Sequence, residues 1–271
     1  MKLSNIFSKR NRVLLRELVS TDFKLRYQGS VLGYFWSLLK PLFMFAVLYI
    51  VFGHFLRVGE TVEHFSIYLL LGIVMWSFFT EATNQGLASI INHGDLIRKI
   101  NFPKYIIVIS GSLSALINLG LNLVIIAVFM FINGVQLTWG ALLFPIYIVE
   151  LYAFALSLAF FFSAAYVKYR DVSHIWEVIL QGAFYATPIL YPLSLVINEA
   201  GTFIAQLLML NPIAQIIQDS RHALITHQTT VMGDLTSNIL IQAVPFVIVI
   251  VSAVFASYYF KKHSAYFSEN V

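Results

Sequence analysis

The 271-residue sequence contains no cysteine. Disulfides, thiolate metal sites and a cysteine nucleophile are excluded together. Charge is also scarce: Asp, Glu, Lys and Arg make up 11% of the chain and hydrophobic residues 59%, whereas a soluble domain carries about 25% charged residues. No Gly-Lys dipeptide occurs, so no P-loop can be built and the chain cannot itself cradle ATP in that way. His-Glu-x-x-His, Asp-x-Asp and Gly-x-Ser-x-Gly are missing too, which removes the common zinc-protease and hydrolase signatures. The histidines, His54, His64, His93, His174, His222, His227 and His263, have no ligand spacing, and no metal site is expected from them.

What the sequence has in abundance is apolar length. Six blocks of about 20 residues or more, enough to cross a bilayer, lie at Leu32–Leu56, Phe65–Thr83, Tyr105–Ile132, Trp139–Val167, Ile175–Tyr191 and Ile239–Phe260. They lack the ten-residue alternation of an outer-membrane barrel, so an all-α integral membrane protein with six transmembrane helices is expected. Pro188 and Pro192 interrupt the outer end of the fifth block. Met1 to Ser20 is basic and has no apolar core, so it is not expected to be a signal peptide. The residues divide as one transmembrane unit: 1–30 interfacial, 32–191 spans one to five, 192–238 outer, 239–260 span six and 261–271 tail.

Lysines and arginines give the orientation. All but Arg57 and Arg221 precede or open the first span, follow the second or fourth, or follow the sixth. Positive-inside bias then puts both termini in the cytoplasm. The same bias accounts for the net charge of +4, and no nucleic-acid partner is expected. Ahead of the first span, Leu14, Leu18, Thr21 and Leu25 share a face over Asn11–Arg26, widened by Leu15 and Val19. Such a segment lies along the inner headgroup layer or forms a solvated leader helix.

Two inter-span segments are more than turns. In the cytoplasmic loop Gln85–Lys104, Leu87, Ile90 and Ile91 form a short stripe before Gly94-Asp95; it reads as a docking helix or a plain hairpin. In the outer segment Pro192–Asn238, Thr202–Leu210 is too short to cross, and Asn211-Pro212 reads as an N-cap with a first-turn proline. Two short re-entrant outer helices are expected there.

Stripes within the spans carry the remaining chemistry. Leu38, Leu42, Phe45, Tyr49 and Phe52 share a face in the first span. Glu177, Gln181, Phe184, Pro188 and Tyr191 share one in the fifth, with Tyr185 beside them. Glu150, Phe154, Ser157 and Phe161 align in the fourth, and Asn118 and Asn122 are one turn apart in the third. Charged Glu150 and Glu177 should face protein or water. Aromatic stripes are either helix packing or a smooth surface over which sugar rings slide.

Three separated stretches resemble a known family: Asp22–Pro41 (DFKLRYQGSVLGYFWSLLKP), Gly94–Pro103 (GDLIRKINFP), and Tyr169–Val172 (YRDV) leading to Thr187–Pro192 (TPILYP) and Asn211-Pro212. They are similar to permease subunits of type-2 ABC exporters of cell-envelope polysaccharides, the O-antigen, capsule, teichoic-acid and rhamnan permeases. Leu18–Pro41 looks most like the Gram-positive rhamnan and teichoic-acid members. The resemblance implies a bacterial inner or plasma membrane homodimer with two separate ABC ATPase subunits, which would bind ATP and Mg, and a lipid-linked polysaccharide as substrate. It implies no enzyme activity and no cofactor in this chain. Phe45, Tyr49, Phe52, Glu177, Gln181, Phe184, Tyr185 and Tyr191 would then line the channel. Leu87, Ile90, Ile91, Asp95, Arg98 and Lys99 would couple to the ATPase, and Lys24, Arg26 and Lys40 would meet the lipid pyrophosphate at the inner boundary or serve only as positive-inside anchors. Two other classes compete: a proton-coupled secondary transporter using Glu150 or Glu177, and a membrane transferase acting on lipid-linked sugars.

Overall fold

The computed structural model describes residues 9–26, 28–100 and 102–267. These residues form helices and connecting turns, with no strand among them. Twelve α-helices are described: α1 Lys9–Arg26, α2 Phe35–Leu48, α3 Phe65–Asn92, α4 Gly94–Lys99, α5 Tyr105–Ile132, α6 Phe144–Lys168, α7 Val172–Ala186, α8 Leu193–Ala200, α9 Thr202–Met209, α10 Pro212–Leu224, α11 Met232–Leu235 and α12 Ile239–His263. Among the described residues, five helical stretches are long and apolar enough to cross a membrane: Phe35–Phe55, Phe65–Asn92, Tyr105–Ile132, Trp139–Lys168 and Ile239–Tyr266.

The centre is α3. Its sequence is apolar on all sides as far as Phe79, and a helix hydrophobic all round must be wrapped by others. It packs against α5 and α6, and α6 packs in turn on α12. Where α3 crosses α6, Gly86 lies against Ala159, and a Cβ on Gly86 would overlap that residue. Small residues set this close approach, as is usual for helices in lipid. Two aromatic pairs add to the core, Phe79 stacked on Phe154 at 5.7 Å and Trp176 close to Phe162 at 4.3 Å.

The first crossing sits at the edge. α2 continues into a π-helical stretch at Tyr49–Phe55, closed by the Leu56 amide donating to Val51 O at 2.8 Å. Phe43, Met44, Val47 and Ile50 are exposed on its outer side. α1, at the opposite end of the chain's first loop, packs along α5, with Leu18 buried beside Ile97, Phe102 and Ile106. Thr21, expected on the buried stripe, is exposed.

Three expectations are revised. The second span does not stop at Thr83: α3 runs on to Asn92, because nothing in Asn84–Asn92 breaks a helix before His93-Gly94. The fifth block, Ile175–Tyr191, yields α7 of only 15 residues, roughly 22 Å at 1.5 Å per residue and short of the bilayer core. Thr187, ahead of Pro188, takes an extended conformation and ends it. The outer segment is also richer than two helices, comprising α8, α9, α10 and the single turn α11.

Candidate substrate path and coupling surface

α7 has two unlike sides. Trp176, Leu180 and Phe184 recur at i, i+4 and i+8 and are buried, Trp176 donating its indole N–H to Thr83 Oγ1 at 3.2 Å and Phe184 lying 5.8 Å from Trp76. Glu177, Gln181 and Tyr185 lie on the exposed side, together with Val178 and Ile179. The stripe read from the sequence is therefore split. Phe184 borders both faces and joins the apolar seam, while Tyr191 is half-buried and donates to Tyr185 O at 3.1 Å. On the first crossing Phe45 and Phe52 pack on the core cluster, Phe45 meeting Phe129 of α5 edge-on at 6.3 Å. Tyr49 is 42% exposed.

Between α2, α3 and α5 lies a polar groove of ≈ 450 Å³ lined by Ser37, Lys40, Trp76, Glu81, Gln85 and Asn118, among others. Glu81 Oε1 accepts from Gln85 Nε2 at 2.7 Å and from Asn118 Nδ2 at 2.6 Å. Asn122 Nδ2 donates to Ser37 O at 3.3 Å and to Asn118 O at 2.8 Å. This network ties α2 and α3 to α5 through side chains that lipid would not tolerate unpaired. The i, i+4 spacing of Glu81 and Gln85 was the signal for it, although only Asn118 and Asn122 drew notice in the sequence. Lys40 is exposed at the rim. Lys24 is exposed on α1, and the side chain of Arg26 lies outside the described residues.

The expected coupling stripe is not a loop. Leu87 and Ile90 are buried on the last turns of α3 and Ile91 is half-buried, because α3 extends through them. The outward-facing feature is α4, which seats Ile97 in the Leu18–Phe102–Ile106 cluster and exposes Asp95, Arg98, Lys99 and Ile100. α1 is fastened beside it: His93 Nε2 lies 3.3 Å from Asp22 Oδ1, His93 Nδ1 is 2.9 Å from Ser89 O, and Ser110 Oγ donates to Asp22 Oδ2 at 3.3 Å. The bond to Asp22 raises the His93 pKa above 6.5 in spite of desolvation by burial. A raised folded-state pKa gives stabilisation that is full below the unfolded value of 6.5 and is lost as pH rises through the folded value. Backbone hydrogen exchange in α1, corrected for intrinsic rates, is expected to accelerate over that rise; Asp22→Asn should flatten the dependence. An unchanged pH profile in Asp22→Asn would show that the latch does not hold α1.

At the other end of α3, α10 begins as the sequence implied. Asn211 Oδ1 accepts from Ile213 N at 3.1 Å with Pro212 in the first turn. Yet α10 is buried on nearly every side, including Gln215, Gln218 and Arg221. Arg221 Nε donates to Tyr68 O at 3.0 Å, Nη1 to Pro188 O at 2.7 Å and Nη2 to Ile189 O at 2.7 Å, with the guanidinium 3.5 Å over the Tyr68 ring. A Cβ on Gly72 would collide with Arg221 Nη2. In the sequence Arg221 stands out only as one of two basic residues, with Arg57, outside the cytoplasmic groups. Beside α10, Glu150 of α6 is 9% exposed, and neither of its oxygens has a hydrogen-bond partner among the described residues.

A second polar cavity of ≈ 430 Å³ opens at this end, lined by Glu63, His64, Thr138, His222, Thr226 and His227, among others. His227 Nδ1 and His222 Nε2 are 3.2 Å apart. Among the described residues no group of three His, Cys, Asp or Glu side chains could hold a metal ion.

Residues 13–225 match the family described as ABC-2 type transporter. An O-antigen export system permease protein RfbA of Myxococcus xanthus is 32% identical over 206 residues, 76% of this chain and 78% of that protein. A protein of the same name from Klebsiella pneumoniae is 27% identical over 75% of this chain and 77% of its own. The polysialic acid transport protein KpsM of Escherichia coli is 20% identical over 78% of this chain and 81% of its own.

Proposed function

The chain belongs to the ABC-2 type transporter family, and from that premise we propose that it is the membrane-spanning subunit of an ATP-driven exporter of a lipid-linked polysaccharide. Two copies form the channel, each carrying a separate ATPase that binds ATP and Mg. Closure of the ATPases is transmitted through α4 and α1, and the bundles tilt to open a path at the dimer axis. α7 and the turn after it make up a sixth crossing, so both termini are cytoplasmic. α8 to α10 stand at the exit. Lys24, Arg26 and Lys40 meet the pyrophosphate of the lipid carrier.

One observation carries this reading. Glu177 and Gln181 are exposed on a helix whose other face packs on α3 and α6, and a carboxylate or amide in that position has to face protein or water, since lipid solvates neither. A second copy and an aqueous path supply both. The apolar residues that share the exposed side, Val178 and Ile179, suit contact with the partner.

Because the chain has no cysteine, single-cysteine variants can be read without background. Gln181→Cys and Tyr185→Cys should give disulfide or short bismaleimide dimers in native membranes. Val124→Cys, on the exposed side of α5, serves as the lipid-facing control and should not. Monomers from both α7 variants at every linker length would remove α7 from the dimer axis.

Glu150 favours a second reading, a proton-coupled carrier, since it is a buried carboxylate with no hydrogen-bond partner among the described residues. Collapse of the proton gradient with ATP present separates the two: the exporter continues and the carrier stops.

A further inference from the structure

On the basic end of the bundle a cavity of ≈ 520 Å³ lies between the start of α5, the body of α6 and the last turns of α12. Its walls include Phe102, Ile109, Phe160 and Phe260, with Phe160 and Phe260 edge-to-face at 5.0 Å. Its rim carries Lys104 from the residue before α5 and Lys261 from the end of α12. No aspartate or glutamate is among the described residues that line it. Neither the transport path nor the α4 surface uses this cavity.

We propose that this slot binds one anionic glycerophospholipid of the inner leaflet, its acyl chain lying against Phe160 and Phe260 and its phosphate between Lys104 and Lys261. Charge and phase select the ligand together. Apolar helix bodies of two spans end here in lysines, so the mouth of the cavity lies where acyl chains meet headgroups. Two cations with no carboxylate among the lining residues attract a phosphate, and an aromatic slot of this size is in the range of small-ligand sites. A molecule that satisfies both at that depth has a chain and an anion joined. A soluble phosphate would leave the slot empty, and a zwitterionic lipid would leave the lysines without net negative charge.

The consequence is mechanical. Phe102 belongs both to the slot and to the cluster that seats Ile97 of α4. A bound lipid therefore ties the end of α12 to the base of α4. The inference needs only that the chain spans a membrane, and it stands or falls independently of the exporter reading.

The test uses the full chain, delipidated and reconstituted in phosphatidylcholine nanodiscs and titrated with phosphatidylglycerol. Saturable binding of one phosphatidylglycerol per chain by native mass spectrometry is expected. The double variant Lys104→Gln, Lys261→Gln should weaken it at least tenfold, as should Ser257→Phe, which fills the slot and keeps both charges. Lys168→Gln with Arg170→Gln, basic residues at the end of α6, should leave it unchanged. If Ser257→Phe fails to fold, Phe160→Trp reports the chain directly: brominated phosphatidylglycerol should quench the added tryptophan and brominated phosphatidylcholine should not. Equal loss in the Lys168/Arg170 variant would reduce the site to a general basic belt and overturn the proposal. Unaltered binding in folded Ser257→Phe, or no selective quenching, would also overturn it. So would displacement of phosphatidylglycerol by an equal or lower concentration of polyprenyl pyrophosphate, which would assign the slot to a different lipid.

Discussion

Arg221→Met is expected to lower the stability of the folded chain by about 4 kcal/mol or more, a drop in midpoint of roughly 10 °C. The guanidinium is fully buried and its hydrogen bonds go to three backbone carbonyls drawn from α3 and from the turn that ends α7. Methionine fills much of the volume but leaves Pro188 O and Ile189 O, in the turn after α7, without these donors, whereas Tyr68 O stays in the ladder of α3; each orphaned buried acceptor costs about 1–3 kcal/mol. Arg221→Lys should recover only part of the loss, since an ammonium on a flexible stem cannot reproduce a planar fork that spans three acceptors. Gly72→Ala should destabilise in the same direction by displacing the Nη2 end. In the Arg221→Met background that glycine change should cost markedly less, because the group it displaces is gone. Thermal unfolding in detergent of the parent and the four variants checks all of these. Full additivity, or a midpoint for Arg221→Met within 2–3 °C of the parent, about 1 kcal/mol, would show that the guanidinium does not hold these elements together.

Charge reversal on α4 should abolish transport while the membrane bundle stays folded. Asp95→Lys with Lys99→Glu changes two exposed side chains and leaves Ile97 and Gly94, which seat the helix, untouched. Surface charges of this kind contribute little to stability. At an interface, by contrast, like charges placed opposite each other cost several kcal/mol. Export should fall at least tenfold and the ATPase should wash off the purified permease, with the thermal midpoint unchanged. Substituting Leu87 or Ile90 would answer a different question, because both are packed inside α3 and their loss would disturb the bundle itself. Normal export by the α4 double variant would move the coupling contact elsewhere.

Much of this molecule could be read from its residues. Tyr105–Ile132 is one uninterrupted apolar run between a proline break and Asn133-Gly134, and α5 has those same bounds. Asn211-Pro212 carries its own start signal, and the cap forms. The features that escaped depend on distant partners. Arg221 looks like an outer-side charge on a short helix because nothing near it in sequence announces Tyr68, Pro188 and Ile189. Glu81 and Gln85 look like the polar edge of a span, yet Glu81 binds both Gln85 and Asn118 in a groove between α2, α3 and α5. Phe184 shows the limit of a helical wheel: it sits at the border of two faces, and only the position of Trp76 decides which one it joins.

The central claim is that this chain is a permease powered by a separate ATPase, and co-purification from its native membrane tests it most directly. The complex would be solubilised in mild detergent, weighed by mass spectrometry, assayed for ATP hydrolysis and reconstituted for transport. The account predicts an ATPase subunit at equal stoichiometry and export that requires ATP. A chain that purifies alone and transports in vesicles lacking ATP would contradict it and would turn attention to Glu150.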